Sequence, residues 1–292
     1  DFAVSQCLKN IKEDPYRSIR RLADLGRQFA KGRFQEELFS LFQRLLLNED
    51  GPYYEMLKQL VSSVDTDSLK TLGINIGYNS WTCGASRLRQ ITAEKDYPHW
   101  LAEISLSPEN SASQLKEQLS AALKNGTYAF RLHMPAQSIT TDTRQLGLIR
   151  EFPDCSFFLD FMDTDCTYSD NLLELTCSCD NLAFLVPFGS LQSRQLVDLL
   201  NARQRIYGVC RTYDNTNAAE RISDSQISEM LSWGSPLLFF LAAADTTQDN
   251  RLLVDNAILD ARLHQTYPAL LIHLDADVAR IQQLLLSSRK NL

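Results

Sequence analysis

Seven short apolar runs with the length of β-strands recur along the chain at intervals of 24 to 32 residues, and a segment with helical spacing follows each of them. A strand, a helix and two loops need about 30 residues, and parallel strands need such a helical crossover. We therefore predict an α/β fold with a parallel sheet, either a (β/α) barrel or a doubly wound sheet. The strands are predicted to begin near Leu101, Tyr128, Ser156, Leu182, Ile206, Leu237 and Ala269.

The part of the chain before these runs has helical spacing instead. Asp14-Pro15 and Gly51-Pro52 are typical helix starts, because a capping residue precedes a proline whose φ angle already suits a helix. We predict a helical N-terminal extension over residues 1–72 that packs on a partial barrel over residues 73–292. Residues 73–90 (GINIGYNSWTCGASRLRQ) contain alternating isoleucines and several glycines, which favours an extended hairpin or loop.

Charge and hydropathy exclude two classes of partner. The chain has 29 Lys and Arg against 36 Asp and Glu, for a net charge of −7, and it has no strong basic block. Phosphate binding needs concentrated positive charge, so we expect no nucleic-acid partner. The longest apolar run, at residues 236–244, has the length of a strand and not of a membrane span.

The 7 cysteines have irregular spacing and cannot all pair within the chain. Their apolar neighbours indicate buried thiols in a reducing compartment, and we expect a cytoplasmic location. Cys177 and Cys179 are separated by one residue, which is too little for a zinc site without a second such pair or nearby histidines.

Polar side chains lie within or just after several predicted strands, at the end where barrels and doubly wound sheets carry their chemistry. Arg131 and His133 are two apart and so share one face of the second strand. A cluster of Arg, His and Asp at one rim could bind an anionic substrate and move protons. The same residue types also form structural ion pairs and helix caps, so both interpretations stay open. The candidate pocket consists of Arg131, His133, Asp160, Asp163, Arg211 and Asp214.

A second pattern, His273-x-Asp275-x-Asp277, follows the last predicted strand. Imidazole and carboxylate ligands could form half of a metal site. The pattern also directly precedes a helical segment, and Asp is a preferred residue at a helix start. We favour this second interpretation, with an aspartate capping the helix and His273 packed in the core.

The segment YGVCRTYDNTN at residues 207–217 resembles radical S-adenosylmethionine proteins, in particular a bacterial group with a helical N-terminal extension. Similarity extends to PDCSFFLDF at residues 153–161, to Asn181 before the fourth strand and to the segment at residues 73–90, so that it covers nearly the whole chain. The resemblance implies a partial (β/α) barrel of the TIM type. The matching positions are Tyr207-Gly208-Val209, Asn217, Ser223-Asp224 and Gly234.

The resemblance also implies a [4Fe–4S] cluster, held by a Cys-x-x-x-Cys-x-x-Cys motif after the first strand, with S-adenosylmethionine bound to its free iron. Here the first strand continues into LSPENSASQLKEQL, and no cysteine lies between Cys83 and Cys155. The Gly-Gly-Glu-Pro stretch of the family appears as Leu132-His133-Met134-Pro135, and its Thr-Asn-Gly-Thr turn as Phe161-Met162-Asp163-Thr164. Thiolate ligands cannot be replaced by Pro, Glu, Asn or Ser without loss of the cluster.

We therefore predict a pseudoenzyme: a non-catalytic protein like the radical S-adenosylmethionine enzymes that has lost the cluster and the cofactor. It would act as a binding or partner protein for a protein or peptide, with an active relative of the same family as one candidate partner. Two alternatives stay open. One is an enzyme of different chemistry that uses the polar residues at the barrel rim. The other is an active radical enzyme with ligands from Cys177, Cys179 and another cysteine.

Overall fold

The computed structural model describes residues 11, 13–30, 33–48, 50–91, 98–106, 111–134, 143–161 and 178–287. Its centre is a curled sheet of seven parallel strands in sequential order, which forms a half-barrel. Every predicted strand is present and begins at the predicted residue or one residue later. The strands are β1 Leu101–Ser105, β2 Ala129–Met134, β3 Ser156–Phe161, β4 Leu182–Pro187, β5 Tyr207–Tyr213, β6 Leu237–Ala242 and β7 Leu270–His273.

Helices precede the sheet and connect its strands. The predicted cap at Asp14 is confirmed, because its carboxylate accepts the backbone N–H of Arg17 at 3.1 Å. Asp65 caps a further helix by accepting the N–H groups of Asp67 and Ser68 at 3.0 Å. The α-helices are α1 Pro15–Phe29, α2 Arg33–Leu45, α3 Pro52–Ser63, α4 Thr66–Ile74, α5 Ala85–Ile91, α6 Ala112–Lys124, α7 Thr143–Gly147, α8 Leu191–Ala202, α9 Ala218–Arg221, α10 Asp224–Leu231, α11 Gln248–His264 and α12 Leu274–Ser287. A π-helix spans Asn75–Gly84, and a 3₁₀ helix spans Leu148–Glu151.

The prediction of an extended hairpin or loop over residues 73–90 is wrong, because the chain there is helical. Its polar and glycine residues hold a helix against the barrel. The buried Asn75 side chain donates to the carbonyls of Pro153 at 2.8 Å and Cys155 at 3.0 Å. A Cβ on Gly84 would collide with the carbonyl oxygen of Gly126, so the glycine permits close backbone packing.

The two faces of the sheet pack differently. The outer face packs against α6, α8, α10 and α11, and its core includes the stacked rings of Phe130 and Phe157, whose centroids are 5.4 Å apart. The inner face has a smaller apolar cluster that contains Leu185, Cys210 and Phe239. Strands that are buried on both faces are expected to be nearly continuous apolar runs, which explains why the sequence located them so well.

The N-terminal helices contact the amino-terminal ends of the strands. Val64 and Leu72 pack with Ala183 and Ile206, and the backbone N–H of Asp65 donates to the carbonyl of Gln204 at 2.8 Å. These contacts lie at the end of the sheet opposite to the carboxyl-terminal ends of the strands. Within the described part of the chain, no helix combines the length and the apolar character needed to cross a membrane.

Candidate functional site

A cavity of about 490 Å³ lies at the carboxyl-terminal ends of strands β2 to β6. This is the position at which open and closed parallel sheets place their ligand sites. Its apolar lining includes Pro187, Phe188 and Leu241. Five Arg, His and Asp side chains also line it: Arg131, His133, Asp160, Arg211 and Arg221.

The structure brings together four of the six residues of the predicted pocket, namely Arg131, His133, Asp160 and Arg211. Asp214 is not part of the lining. Its carboxylate accepts the backbone N–H and the hydroxyl of Thr216, at 2.7 and 2.6 Å, and so holds a turn after β5. These bonds lower the pKa of Asp214. Asp163 lies outside the described residues.

An ion pair between Arg131 and Asp160 forms one wall of the cavity. Arg131 donates to Asp160 Oδ2 from Nε at 3.0 Å and from Nη2 at 2.6 Å. Its Nη1 donates to Glu103 Oε1 on β1 at 3.1 Å. Burial disfavours the charge on Arg131, but the carboxylates of Asp160 and Glu103 outweigh it and raise the pKa of the guanidinium.

His133 lies between the same two carboxylates. Its Nε2 is 3.2 Å from Glu103 Oε2, in a hydrogen bond, and its Nδ1 is 3.2 Å from Asp160 Oδ2. The second contact is close enough for ion pairing but lacks the direction of a hydrogen bond. Asp160 first, and then Glu103, raise the pKa of His133 to about 9. His133 is therefore a cation at neutral pH, able to donate a proton but not to accept one.

Glu103 completes this wall from β1. Its contact with His133 lowers the pKa of the carboxyl to about 2, against burial and with help from Arg131. The register of the sheet causes this meeting, because Glu103 is paired with Arg131 across β1 and β2. The two cations of the wall are thus balanced by the two carboxylates that touch them.

A second part of the cavity lining, formed by Arg211 and Arg221, is cationic and less well balanced. Arg211 is 8% exposed, and its guanidinium lies over the Phe188 ring, with Cζ 4.2 Å from the ring centroid. Its Nη2 is 3.7 Å from Glu229 Oε2, too far for a hydrogen bond. Its buried Nη1, like the buried Nε of Arg221, has no hydrogen-bond partner among the described residues. Burial first, and then the charge of Arg221, lower the pKa of Arg211.

Sequence reasoning missed Glu103 and Arg221. Glu103 lies within a predicted strand, and Arg221 lies between Asn217 and Ser223-Asp224, two of the positions that carry the resemblance. Both are charged residues on elements that end at the rim. That signal could have suggested them, but only the pairing of β1 with β2 and the path of α9 bring them to the cavity.

The donor atoms of the cavity do not fit a [4Fe–4S] cluster. Of the described cysteines, Cys210 belongs to the lining, and burial raises the pKa of its thiol well above the usual range. Cys155 lies beside the amino-terminal end of β3, and burial raises its pKa to about 12. Cluster ligation needs thiolates. The described lining presents guanidinium, imidazole and carboxylate groups instead.

The His273 pattern forms a separate buried network. His273 Nε2 lies 2.7 Å from the hydroxyl of Tyr213, and its Nδ1 lies 3.2 Å from Asp255 Oδ1. Asp277 accepts the backbone N–H of His273 at 3.0 Å and also binds Arg262. His273 is therefore packed in the core as predicted, whereas Asp275 and Asp277 lie within the first turn of α12 and not at its cap. Among the described residues, no group of three or more His, Cys, Asp or Glu side chains could hold a metal ion.

Comparison with known proteins leaves the family open. No family model matches this chain, and no curated protein matches it significantly. Membership of the radical S-adenosylmethionine family thus stays a prediction, whereas the mixed α/β half-barrel is observed.

The positions that carry the resemblance have structural roles in this fold. Asn181 donates to the carbonyls of Phe152 and Cys155, each at 3.0 Å. The Asn217 side chain accepts the backbone N–H of Asp214 at 2.9 Å. Gly234 has a φ of +80°, which favours glycine. These positions therefore have structural roles in this fold and carry no information on the family or the cofactor.

Proposed function

We propose that this protein is a pseudoenzyme with a barrel like that of the radical S-adenosylmethionine enzymes, and that it acts by binding a ligand at the barrel rim. The observation that carries the proposal is the chemistry of the rim cavity. Its titratable side chains are Arg, His, Asp and one thiol whose pKa burial raises, in a chain with no cysteine between Cys83 and Cys155. A cavity of about 490 Å³ is within the usual range for small-molecule sites.

The ion pairs of the cavity also favour binding over reaction. Arg131 and Asp160 are 7% exposed at their side chains and hold each other in place. His133 is cationic at neutral pH, so it is not available as a general base. Such preorganised charges suit recognition of a ligand, and binding, unlike radical chemistry, needs no electron donor. A protein or peptide partner that inserts a side chain into the cavity remains within this proposal.

Anaerobic reconstitution with iron and sulfide tests the loss of the cluster. We expect no stoichiometric iron or sulfide in the purified protein and no 5′-deoxyadenosine when S-adenosylmethionine and a reductant are added. C210A is the control, because it removes the thiol of the described lining and reports any adventitious iron bound there. A stoichiometric cluster that cleaves S-adenosylmethionine would overturn the proposal and restore the active-enzyme alternative. Of the two cysteines named for that alternative, Cys179 is buried in the core and Cys177 lies outside the described residues.

An enzyme of different chemistry is the second candidate, and one observation favours it. His133 is held as an imidazolium between Glu103 and Asp160 at the edge of the cavity, as a general acid would be. The test is incubation of the wild type and of H133N with an acid that binds the cavity, followed by NMR detection of products. Conversion by the wild type and none by H133N would establish this candidate. Unchanged substrate with both proteins supports the binding function.

A further inference from the structure

Two arginines of the cavity lining lie close enough to interact electrostatically with each other. Arg211 comes from β5 and Arg221 ends α9, so a strand and the short helix after it bring them together. Neither the Nη1 of Arg211 nor the Nε of Arg221 has a partner among the described residues, although both atoms are buried. Arg211 is more than nine-tenths buried as a residue.

This arrangement costs free energy unless something negative joins it. A buried polar group without a partner destabilises the folded state, and a charged group does so more strongly. Among the described residues, the carboxylate paired with Arg211 is that of Glu229, at 3.7 Å and on an exposed side chain. The two arginines also repel each other, in agreement with the lowered pKa of Arg211. A ligand anion in the cavity would offset the charge of both guanidinium groups and their mutual repulsion.

The part of the lining that contains Arg131 and His133 does not compete for such an anion. Arg131 and His133 already contact the carboxylates of Asp160 and Glu103, which neutralise them. The rest of the cavity lining is largely apolar. Carbon surface with few hydrogen-bonding groups comes from Phe161, Pro187, Phe188, Leu241 and Ala242.

We propose that the cavity binds a small organic acid, with its carboxylate or phosphate on Arg211 and Arg221 and its apolar body against Pro187, Phe188 and Leu241. The inference rests on the proposed function, since it names the ligand class of the same cavity. Planar guanidinium groups recognise both anions through paired N–H donors, so the shared chemistry is an anionic oxygen pair on an apolar body.

Isothermal titration calorimetry with four probes separates charge, body and anion type. The probes are benzoate, phenyl phosphate, benzamide as the neutral analogue of benzoate, and inorganic phosphate. We expect one or both aromatic acids to bind, and benzamide and inorganic phosphate to bind at least about tenfold more weakly. The stronger of benzoate and phenyl phosphate identifies carboxylate or phosphate as the natural anion.

Substitution of the arginines tests the position of the anion. R211Q and R221Q should each weaken binding of the preferred acid by about tenfold or more. R205Q is the matched control, because Arg205 precedes the same strand at its amino-terminal end, about 20 Å from Arg211, and pairs with Asp180 at 3.1 Å. It removes the same charge from the chain and should leave the affinity unchanged.

The Tm of the ligand-free variants distinguishes a binding role of Arg211 from a structural role, because the two roles predict opposite shifts. R211Q removes a poorly compensated buried charge, so its Tm should equal or exceed that of the wild type, whereas a structural arginine would lower it. If R211Q unfolds, R221Q still decides the position of the anion, because Arg221 is less buried.

Three results would overturn this inference. They are equal binding of benzamide and benzoate, no binding of any probe at millimolar concentration, or full affinity in both R211Q and R221Q. Binding of benzamide as tight as that of benzoate would rule out recognition of an anion but would leave the proposed binding function intact. A reconstituted cluster that cleaves S-adenosylmethionine would instead remove the proposed function itself, so the two failures are distinguishable.

Discussion

Arg131 places two N–H groups on one oxygen of Asp160, with Nε at 3.0 Å and Nη2 at 2.6 Å from Oδ2. The two residues come from neighbouring strands, since β2 and β3 pair in parallel and set Asp160 opposite His133. Both side chains are 7% exposed, and they lie in the lining of the cavity. The pair therefore determines the shape of that wall and the charge state of the histidine beside it.

Asp160→Asn should destabilise the protein strongly. The amide keeps the shape of the carboxylate but leaves the Arg131 charge with Glu103 alone, and breaking a buried ion pair costs about 3–5 kcal/mol. Unfolding in urea would measure the loss in free energy. E151Q is the control, because Glu151 pairs with Lys116 where both side chains are about half exposed. It should cost less than about 1 kcal/mol. A D160N loss as small as that of E151Q would contradict the role of the pair.

His133 makes stability depend on pH in the alkaline direction. Its pKa is about 9 in the folded protein against 6.5 for the ordinary side chain. The folded state therefore binds the proton more tightly than the unfolded state. The stabilisation is fully present below pH 6.5 and is lost as the pH rises through about 9. After allowance for screening at the open cavity, we expect a loss of about 2 kcal/mol.

Urea unfolding at several pH values between 6 and 10 would follow this loss, and NMR titration of the imidazole would give the pKa directly. H133N should flatten the pH dependence over this range. In D160N the imidazole pKa should fall towards its ordinary value, because Asp160 is the largest cause of the rise. A His133 that titrates near pH 6.5 in the wild type would refute the ion-paired state.

The sequence located the strands well and the partners of the site poorly, for physical reasons. The strands are buried on both faces, so their apolar runs stand out against polar connections. Arg131 and His133 were placed on one face by their spacing of two residues alone. That Glu103 contacts them both depends on the register between β1 and β2, which no local pattern encodes.

The wrong prediction for residues 73–90 has a similar cause. Glycines commonly mark turns, and alternating isoleucines are typical of strands. Here Gly84 packs against the backbone of Gly126, and Asn75 binds two carbonyls that lie near residue 154 in the sequence. Long-range contacts thus decided the local structure, and a single sequence does not show them.

Two glycines of the π-helix should respond in opposite directions to the same substitution. In G84A the new methyl group would collide with the carbonyl oxygen of Gly126 and crowd the ring of Tyr128. Because the first neighbour is backbone, we expect a loss of about 2–3 kcal/mol. In G77A a Cβ meets no atom within 4 Å. Alanine loses less backbone entropy in a helix, so this variant should gain up to about 1 kcal/mol. Thermal unfolding of the two variants side by side checks both signs, and equal shifts would contradict the close packing at Gly84.

The buried contact between Tyr213 and His273 should stabilise the far end of the half-barrel. Burial raises the pKa of Tyr213 to about 12, so its hydroxyl stays protonated and can donate to Nε2 of His273 at 2.7 Å. The other imidazole nitrogen, Nδ1, then donates to Asp255 at 3.2 Å. Y213F would leave Nε2 buried without this donor, at a cost of about 1–3 kcal/mol.

A double-mutant cycle of Y213F with D255N shows whether the histidine transmits the interaction between its two partners. Both partners fix the same imidazole, so the loss in the double variant should differ from the sum of the single losses by at least about 0.5 kcal/mol. Y267F is the control for loss of a tyrosine hydroxyl, because Tyr267 binds Asp224 at an exposed position. It should change the free energy of unfolding by less than about 1 kcal/mol. Additive losses in the cycle would mean that Tyr213 and Asp255 act independently and that His273 does not couple β5 to α11.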